Sequence, residues 1–185
     1  LVHGIEVLGF HDLGEVIHYL EGRQICANMD QQETDNFQAV PEHPLDFSDV
    51  KGQDELIDAV VLAAAGGHNM LMIGEPGCGK TMIAQRIPSI LPEMTEEECL
   101  EVTKIYSISG LLPNGHSLIK CRPFRAPHHN ASLNALVSGG VNAMPGEVSL
   151  AHNGVLFLDE LAEFPRRTLD ALRQPIEDKK VSISR

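Results

Sequence analysis

Between an apolar run, Asn69 to Ile73, and a run with helical apolar spacing, the chain carries Gly74-Glu75-Pro76-Gly77-Cys78-Gly79-Lys80-Thr81. That stretch fits G-x-x-x-x-G-K-[ST], the P-loop pattern. Its glycines let the backbone curl until successive N–H groups point inward, a concavity that holds anions. A helix starting at Lys80 adds its positive N-terminal end. In such a loop the lysine reaches the β- and γ-phosphates and the next hydroxyl ligates magnesium. Lys80 and Thr81 are therefore expected in those roles, with ATP and Mg²⁺ as cofactors. The expected nucleotide contacts are Glu75, Pro76, Gly77, Cys78 and Gly79 in the loop and Lys80, Thr81 and Met82 at the helix start. The flanks argue against an ordinary glycine-rich turn. Asn69 to Ile73 reads as a buried parallel strand, and Thr81 to about Leu91 as the helix after it.

A second apolar run, Val155-Leu156-Phe157-Leu158, ends in Asp159-Glu160. A buried strand would deliver both acids at its C-terminal end, where ligands bind in open α/β sheets. Alone, such a run is as readily a surface turn. Downstream of a P-loop it completes a division of labour that phosphoryl transfer needs. Asp159 would hold magnesium with Thr81, and Glu160 would polarise the attacking water as a catalytic residue beside Lys80.

The rest of the chain supplies helices between these strands. Leu56, Ile57, Val60, Val61 and Ala64 form a stripe that stops at Gly66-Gly67. Thr95 and Glu98 are spaced as a capping box for a helix near Cys99 to Tyr106. Asn130 is expected to cap a helix carrying Leu133, Leu136 and Val137. Leu169, Leu172 and Ile176 mark another, interrupted by Pro175, and Val181-Ser182-Ile183 alternates like an edge strand. This alternation predicts an α/β fold, a P-loop parallel sheet flanked by helices.

Upstream, Ile5 to Phe10 reads as a strand, followed by a helix capped by Asp12 and Glu15, with Leu13, Val16, Ile17 and Leu20 on one face and Gly22 at its end. This unit cannot form a core alone and is expected to be the end of a preceding domain, residues 1–27. Polar residues flanked by Pro41 and Pro44 make 28–44 a linker. The main domain is expected over 45–185. The chain begins at Leu1 and stops at Arg185 in strand-like sequence, so it is expected to be a piece of a longer protein.

The formal charge of −12 opposes nucleic acid at long range, although it leaves room for a small basic pore in an oligomer. Cys26, Cys78, Cys99 and Cys121 form no C-x-x-C pair, which suits a reducing cytoplasm better than a disulfide framework or a zinc site. No apolar run approaches transmembrane length, so no membrane partner is expected.

His128 and His129 could ligate a metal. Adjacent side chains on an extended segment point apart, however, and no Cys or carboxylate spacing completes a site. A helix-entry turn with one buried histidine is the simpler expectation. Arg122, Arg125, Arg166, Arg167, Arg173 and Arg185 could each face a neighbouring subunit's phosphate, but salt-bridged or solvated arginine accounts for each of them.

Asp46-Phe47-Ser48-Asp49-Val50-Lys51-Gly52-Gln53 resembles the leading segment of AAA+ modules. Gly67-His68-Asn69 and the stretch from Gly146 through Gly154 into Val155-Leu156-Phe157-Leu158-Asp159-Glu160 are similar to the Mg-chelatase group. Arg122-Pro123-Phe124-Arg125-Ala126-Pro127-His128-His129 and Ala171-Leu172-Arg173-Gln174-Pro175-Ile176-Glu177-Asp178 narrow the resemblance to the YifB/ComM family of Mg-chelatase-like AAA+ ATPases. It covers about residues 45–185 densely. Residues 1–27 more weakly resemble the end of that family's N-terminal domain, of the α+β Lon-protease/ribosomal S5 domain 2 kind.

The resemblance implies that backbone around Val50 and Gly52 lines the adenine pocket. It implies a homo-hexameric ring and, for ComM-type members, a helicase that drives branch migration on single-stranded or branched DNA, with an insert after the second strand facing the pore. It also places a sensor strand, the arginine finger and a helical lid beyond Arg185, that strand lying between the P-loop strand and the Asp159 strand. Two other functions fit the residues. One is a motor like the Mg-chelatase I subunit, acting on a protein partner. The other is a regulatory switch that binds nucleotide and barely hydrolyses it.

Overall fold

The computed structural model describes residues 8–23, 45–112, 118–139 and 144–178. The chain separates into two units, Leu1–Pro41 and Glu42–Arg185. In the first, helix α1 spans Leu13–Leu20 and buries none of its residues. Asp12 accepts the Glu15 N–H at 3.0 Å. The Glu15 carboxylate takes the N–H of His11 at 2.8 Å where a capping box would take that of Asp12. The chain turns off the helix at Gly22, φ 71°. Leu13, Ile17 and Leu20 are exposed. The strand expected at Ile5 to Phe10 falls mostly outside the described residues, as do the linker at 28–44 and the strand at Val181.

In the second unit, α2 (Asp54–Gly66) closes on Gly67 in the left-handed conformation that glycine adopts without strain. Next come α3 (Lys80–Ala84), α4 (Ile87–Ile90) and α5 (Glu96–Ile108). The single helix expected from Thr81 to Leu91 is instead two short ones. Pro88 has no N–H for the Ala84 carbonyl, so the chain tightens around Arg86, whose N–H bonds Ile83 O at 3.0 Å. Both capping-box bonds of α5 are present, at 3.2 and 2.9 Å between Thr95 and Glu98.

Strand β1 (Phe124–Arg125), α6 (Leu133–Leu136), β2 (Ser138–Gly139), β3 (Met144–Pro145), α7 (Glu147–Leu150), β4 (Val155–Leu156) and α8 (Arg166–Asp178) complete the described α-helices and strands. Ser132 caps α6, its hydroxyl accepting the Ala135 N–H at 3.1 Å. Asn130, the residue expected there, lies in the preceding turn. Pro175 does not interrupt α8, in which Thr168 and Leu172 are buried. It lies in the last turn and forfeits one helical bond.

β1 and β4 pair in parallel, Phe124 opposite Val155 and Arg125 opposite Leu156. The core is aliphatic: Val60 from α2, Ile83 and Ala84 from α3, Val102 from α5, Leu136 from α6 and Leu172 from α8. The expected parallel strand at Asn69 to Ile73 is not formed. No strand pairs with it among the described residues, and Leu71 is 68% and Ile73 90% exposed. The second expected strand is shorter than its apolar run, ending at Leu156, although Phe157 N–H still reaches Arg125 O at 2.8 Å.

Candidate functional site

The P-loop pattern lies where the sequence places it, between Ile73 and α3. Gly77 and Gly79 take φ of 81° and 91°, a region L side chains rarely enter, so the curl depends on glycine there. Gly79 leads into α3, whose first N–H groups have no partners within the helix. The Lys80 ammonium folds over the loop and donates to Gly74 O at 2.8 Å and Glu75 O at 2.9 Å. Among the described residues no carboxylate pairs with it, so neutral carbonyls hold it and its charge remains available to an anion.

The Thr81 hydroxyl donates to Asp159 Oδ2 at 3.1 Å, although 78 positions separate the two. Asp159 lies three residues past the end of β4, and its other oxygen accepts the Glu160 N–H at 2.9 Å. One hydroxyl and one carboxylate therefore converge beside a phosphate-sized loop. This is the donor set magnesium uses when nucleotide phosphates and water complete its shell. Among the described residues no cluster of three or more His, Cys, Asp or Glu could hold a metal by itself. The residues fit magnesium arriving with a nucleotide rather than a resident ion. Glu160 is in the left-handed region at φ 51°, and its carboxylate faces His129 Nδ1 at 3.0 Å.

Val50 and Gly52 lie between a single 3-10 turn, Phe47–Asp49, and α2. Gln53 joins this segment to the P-loop by donating from Nε2 to Cys78 O at 3.2 Å. Arg86, absent from the sequence candidates, is buried and ties the α3–α4 break to the same segment. It donates to Asp46 O and Met82 O at 2.9 Å each and reaches Asp49 at 3.3 Å. The contacts from Gln53 to Cys78 and from Arg86 to Asp46 and Asp49 carry no local sequence signal, since they span 25, 40 and 37 positions.

The remaining candidates separate cleanly. Arg122 clamps the carbonyls of Pro92 and Asn153 and pairs with Glu98. Arg125 grips both oxygens of Glu147 at 2.6 and 2.8 Å, which raises its already high pKa. Both are structural in this chain, and Arg173 pairs with Glu177 along α8. Arg185 lies outside the described residues. The His128 and His129 rings do not point apart. Their centroids are 4.1 Å from each other, because the chain turns there instead of extending, closed by Ala131 N–H to His128 O at 2.8 Å. No disulfide joins Cys78, Cys99 and Cys121, and no described helix is long and apolar enough to cross a membrane.

Comparison with known proteins bears on the same stretch. The family model of magnesium chelatase, subunit ChlI, matches residues 46–185. The uncharacterized protein YifB of Escherichia coli (strain K12) is 49% identical across the whole chain, which covers 36% of YifB. The competence protein ComM of Haemophilus influenzae is 47% identical over 92% of the chain and 34% of ComM. An archaeal Lon protease of Archaeoglobus fulgidus is 36% identical over 43% of the chain and 12% of its own length. The chain thus spans about a third of YifB and ComM. With the family model covering the P-loop, the Asp159 turn and everything between, the chain belongs to the magnesium-chelatase ChlI family, alongside YifB and ComM.

Proposed function

We propose that this chain forms the ATP- and magnesium-binding part of an AAA+ motor that works on DNA in the cytoplasm as a ring of six copies. The observation that carries the nucleotide site is the Thr81–Asp159 contact at 3.1 Å beside the Lys80-wrapped loop. When bound, ATP with magnesium supplies the phosphoanhydride to be cleaved and most of the charge neutralisation. The chain's residues do the rest. Loop N–H groups and Lys80 hold phosphate oxygens, with Lys80 exchanging two carbonyls for them. Thr81 and Asp159 hold the metal. Glu160 accepts a hydrogen bond from a water and polarises it. Val50 and Gly52, tied to the loop through Gln53, border the base.

DNA as the target rests on the similarity to ComM and the wider YifB/ComM resemblance. The formal charge of −12 favours a second reading, a motor of the Mg-chelatase type that remodels a protein partner. The ATPase rate of the full-length protein with and without single-stranded and branched DNA separates the two. Stimulation supports the DNA motor, and a flat response sinks it.

A further inference from the structure

Helix α3 stops at Ala84, and one side chain takes over the bond that the break leaves open. In a continuing helix the Arg86 N–H would bond Met82 O. It bonds Ile83 O instead, at 3.0 Å. The Arg86 guanidinium serves Met82 O in its place, from Nη1 at 2.9 Å. Its other two nitrogens leave the helix. Nε donates to Asp46 O at 2.9 Å, and Nη2 meets Asp49 Oδ2 at 3.3 Å. The side chain is only 9% exposed. Burying a charge is costly, and an apolar side chain of similar volume often serves a fold as well or better. What a guanidinium supplies here is a planar fork that reaches acceptors on two segments at once.

The segment that Arg86 grips is not anchored by a buried side chain, since no residue from Asp46 to Gln53 is buried. Its backbone passes through the left-handed region at Gly52 and Gln53, φ 74° and 62°, on the way into α2. Among the described residues, the hydrogen bonds joining this segment to the P-loop and α3 are those of Arg86 and the one from Gln53 Nε2 to Cys78 O. Arg86 thus pins the start of the segment to the far end of α3, and Gln53 pins its end to the loop. Val50 and Gly52 lie between the two ties. We propose that Arg86 is a positioning residue for nucleotide selection, holding the Val50–Gly52 wall at a fixed distance from the P-loop so that base and phosphates are gripped together. The inference rests on the reading of Val50 and Gly52 as the border of the base. Loss of Arg86 should then weaken the share of affinity that comes from the nucleoside and spare that of the phosphates. Among the described residues, Lys80, Thr81 and the loop from Gly74 to Gly79 make no hydrogen bond to Arg86.

The test uses the full-length protein and calorimetric Kd values for Mg-ADP and Mg-pyrophosphate, which share a diphosphate and differ in the nucleoside. The ratio of the two reads the nucleoside's contribution, and wild type should bind ADP far more tightly than pyrophosphate. Arg86→Met fills the volume without the fork. It should lower the ratio about tenfold, roughly 1.4 kcal/mol, with the pyrophosphate Kd within about threefold of wild type. Arg86→Lys keeps the charge, offers no fork and should recover only part of the ratio. Asp49→Ala removes one tie at a side chain that is 55% exposed, and it carries the test if Arg86→Met does not fold. It should lower the ratio about threefold, roughly 0.7 kcal/mol. An unchanged ratio in Arg86→Met, or in Asp49→Ala where that variant stands in, overturns the positioning role and leaves the base-side wall standing. An equal loss of ADP and pyrophosphate binding overturns it too, since that marks a part that only holds the fold. Val50→Glu sets an acid on the wall itself and should lower the ratio with Arg86 in place. A wild-type ratio near one, or a Val50→Glu ratio equal to that of wild type, removes the base-side reading and the proposal with it.

Discussion

Thr81 Oγ1 and Asp159 Oδ2 lie 3.1 Å apart, one at the start of α3 and the other just after β4. A single hydrogen bond between exposed groups contributes little to folding. Under the proposed function the pairing matters, because Thr81 and Asp159 would together hold a magnesium ion, the Thr81 hydroxyl keeping its proton and turning it away from Asp159. Asp159→Ala should therefore shrink the advantage that magnesium gives to nucleotide binding by about tenfold, roughly 1.4 kcal/mol. Titrating a fluorescent ATP analogue with and without magnesium reads that ratio. A variant whose ratio equals that of wild type would show that Asp159 does not touch the metal.

Lys80→Ala should abolish nucleotide binding. The ammonium now satisfied by Gly74 O and Glu75 O is the cation placed at the loop mouth. Its loss leaves phosphate charge uncompensated, an effect of about 2–5 kcal/mol by analogy with truncating one partner of a buried charge pair. An ATP affinity within about threefold of wild type, roughly 0.7 kcal/mol, would count against the P-loop assignment.

Gly154 is needed for room. A Cβ built there falls inside contact distance of the Pro123 carbonyl oxygen and 2.8 Å from two atoms of the Pro123 ring. That same carbonyl accepts the Val155 N–H at 2.8 Å, the first bond joining β4 to the β1 side. Gly154→Ala should cost about 1–3 kcal/mol, the usual range for forcing an extra carbon into a packed site. Denaturant unfolding measures it. The damage should reach nucleotide binding too, since β4 leads through Phe157 and Leu158 to Asp159.

What the sequence made legible is what adjacent residues encode. The Thr95–Glu98 capping box, the Gly67 helix end and the glycine-dependent curl at Gly77 and Gly79 are each stated within a few positions, and each is present. Contacts between distant residues left no such mark. Nothing near Glu160 announces His129, nothing near Cys78 announces Gln53, and Arg86 reads as an ordinary helical arginine until its buried partners are seen. β1 and β2 escaped for another reason: each is two residues long, too short to show a period of two. Pro88 was a local signal passed over, and it split the helix after the P-loop.

Asn69 to Ile73 shows what pairing does for an apolar run. It enters the P-loop directly, yet among the described residues Met70 to Ile73 make no backbone hydrogen bond, and a cleft of about 1050 Å³ runs from Met70–Met72 to Leu156–Asp159. Unpaired, water-facing amides exchange readily, whereas those of packed helices open only with larger parts of the fold. Amides of Met70 to Ile73 should therefore exchange with solvent deuterium within seconds in this chain alone, while Ile83 and Val102 exchange far more slowly. In the full-length protein a strand seated in the cleft should slow the same amides. The consequence for catalysis follows from distance. A P-loop whose lead-in is loose cannot hold Thr81 against Asp159 tightly, and a displacement of about 1 Å can cost on the order of a hundredfold in rate. The chain alone should bind nucleotide weakly and turn it over little. Slow exchange at Met72 and Ile73 in the isolated chain, or turnover there near that of the full-length protein, would show that this segment is already held in place.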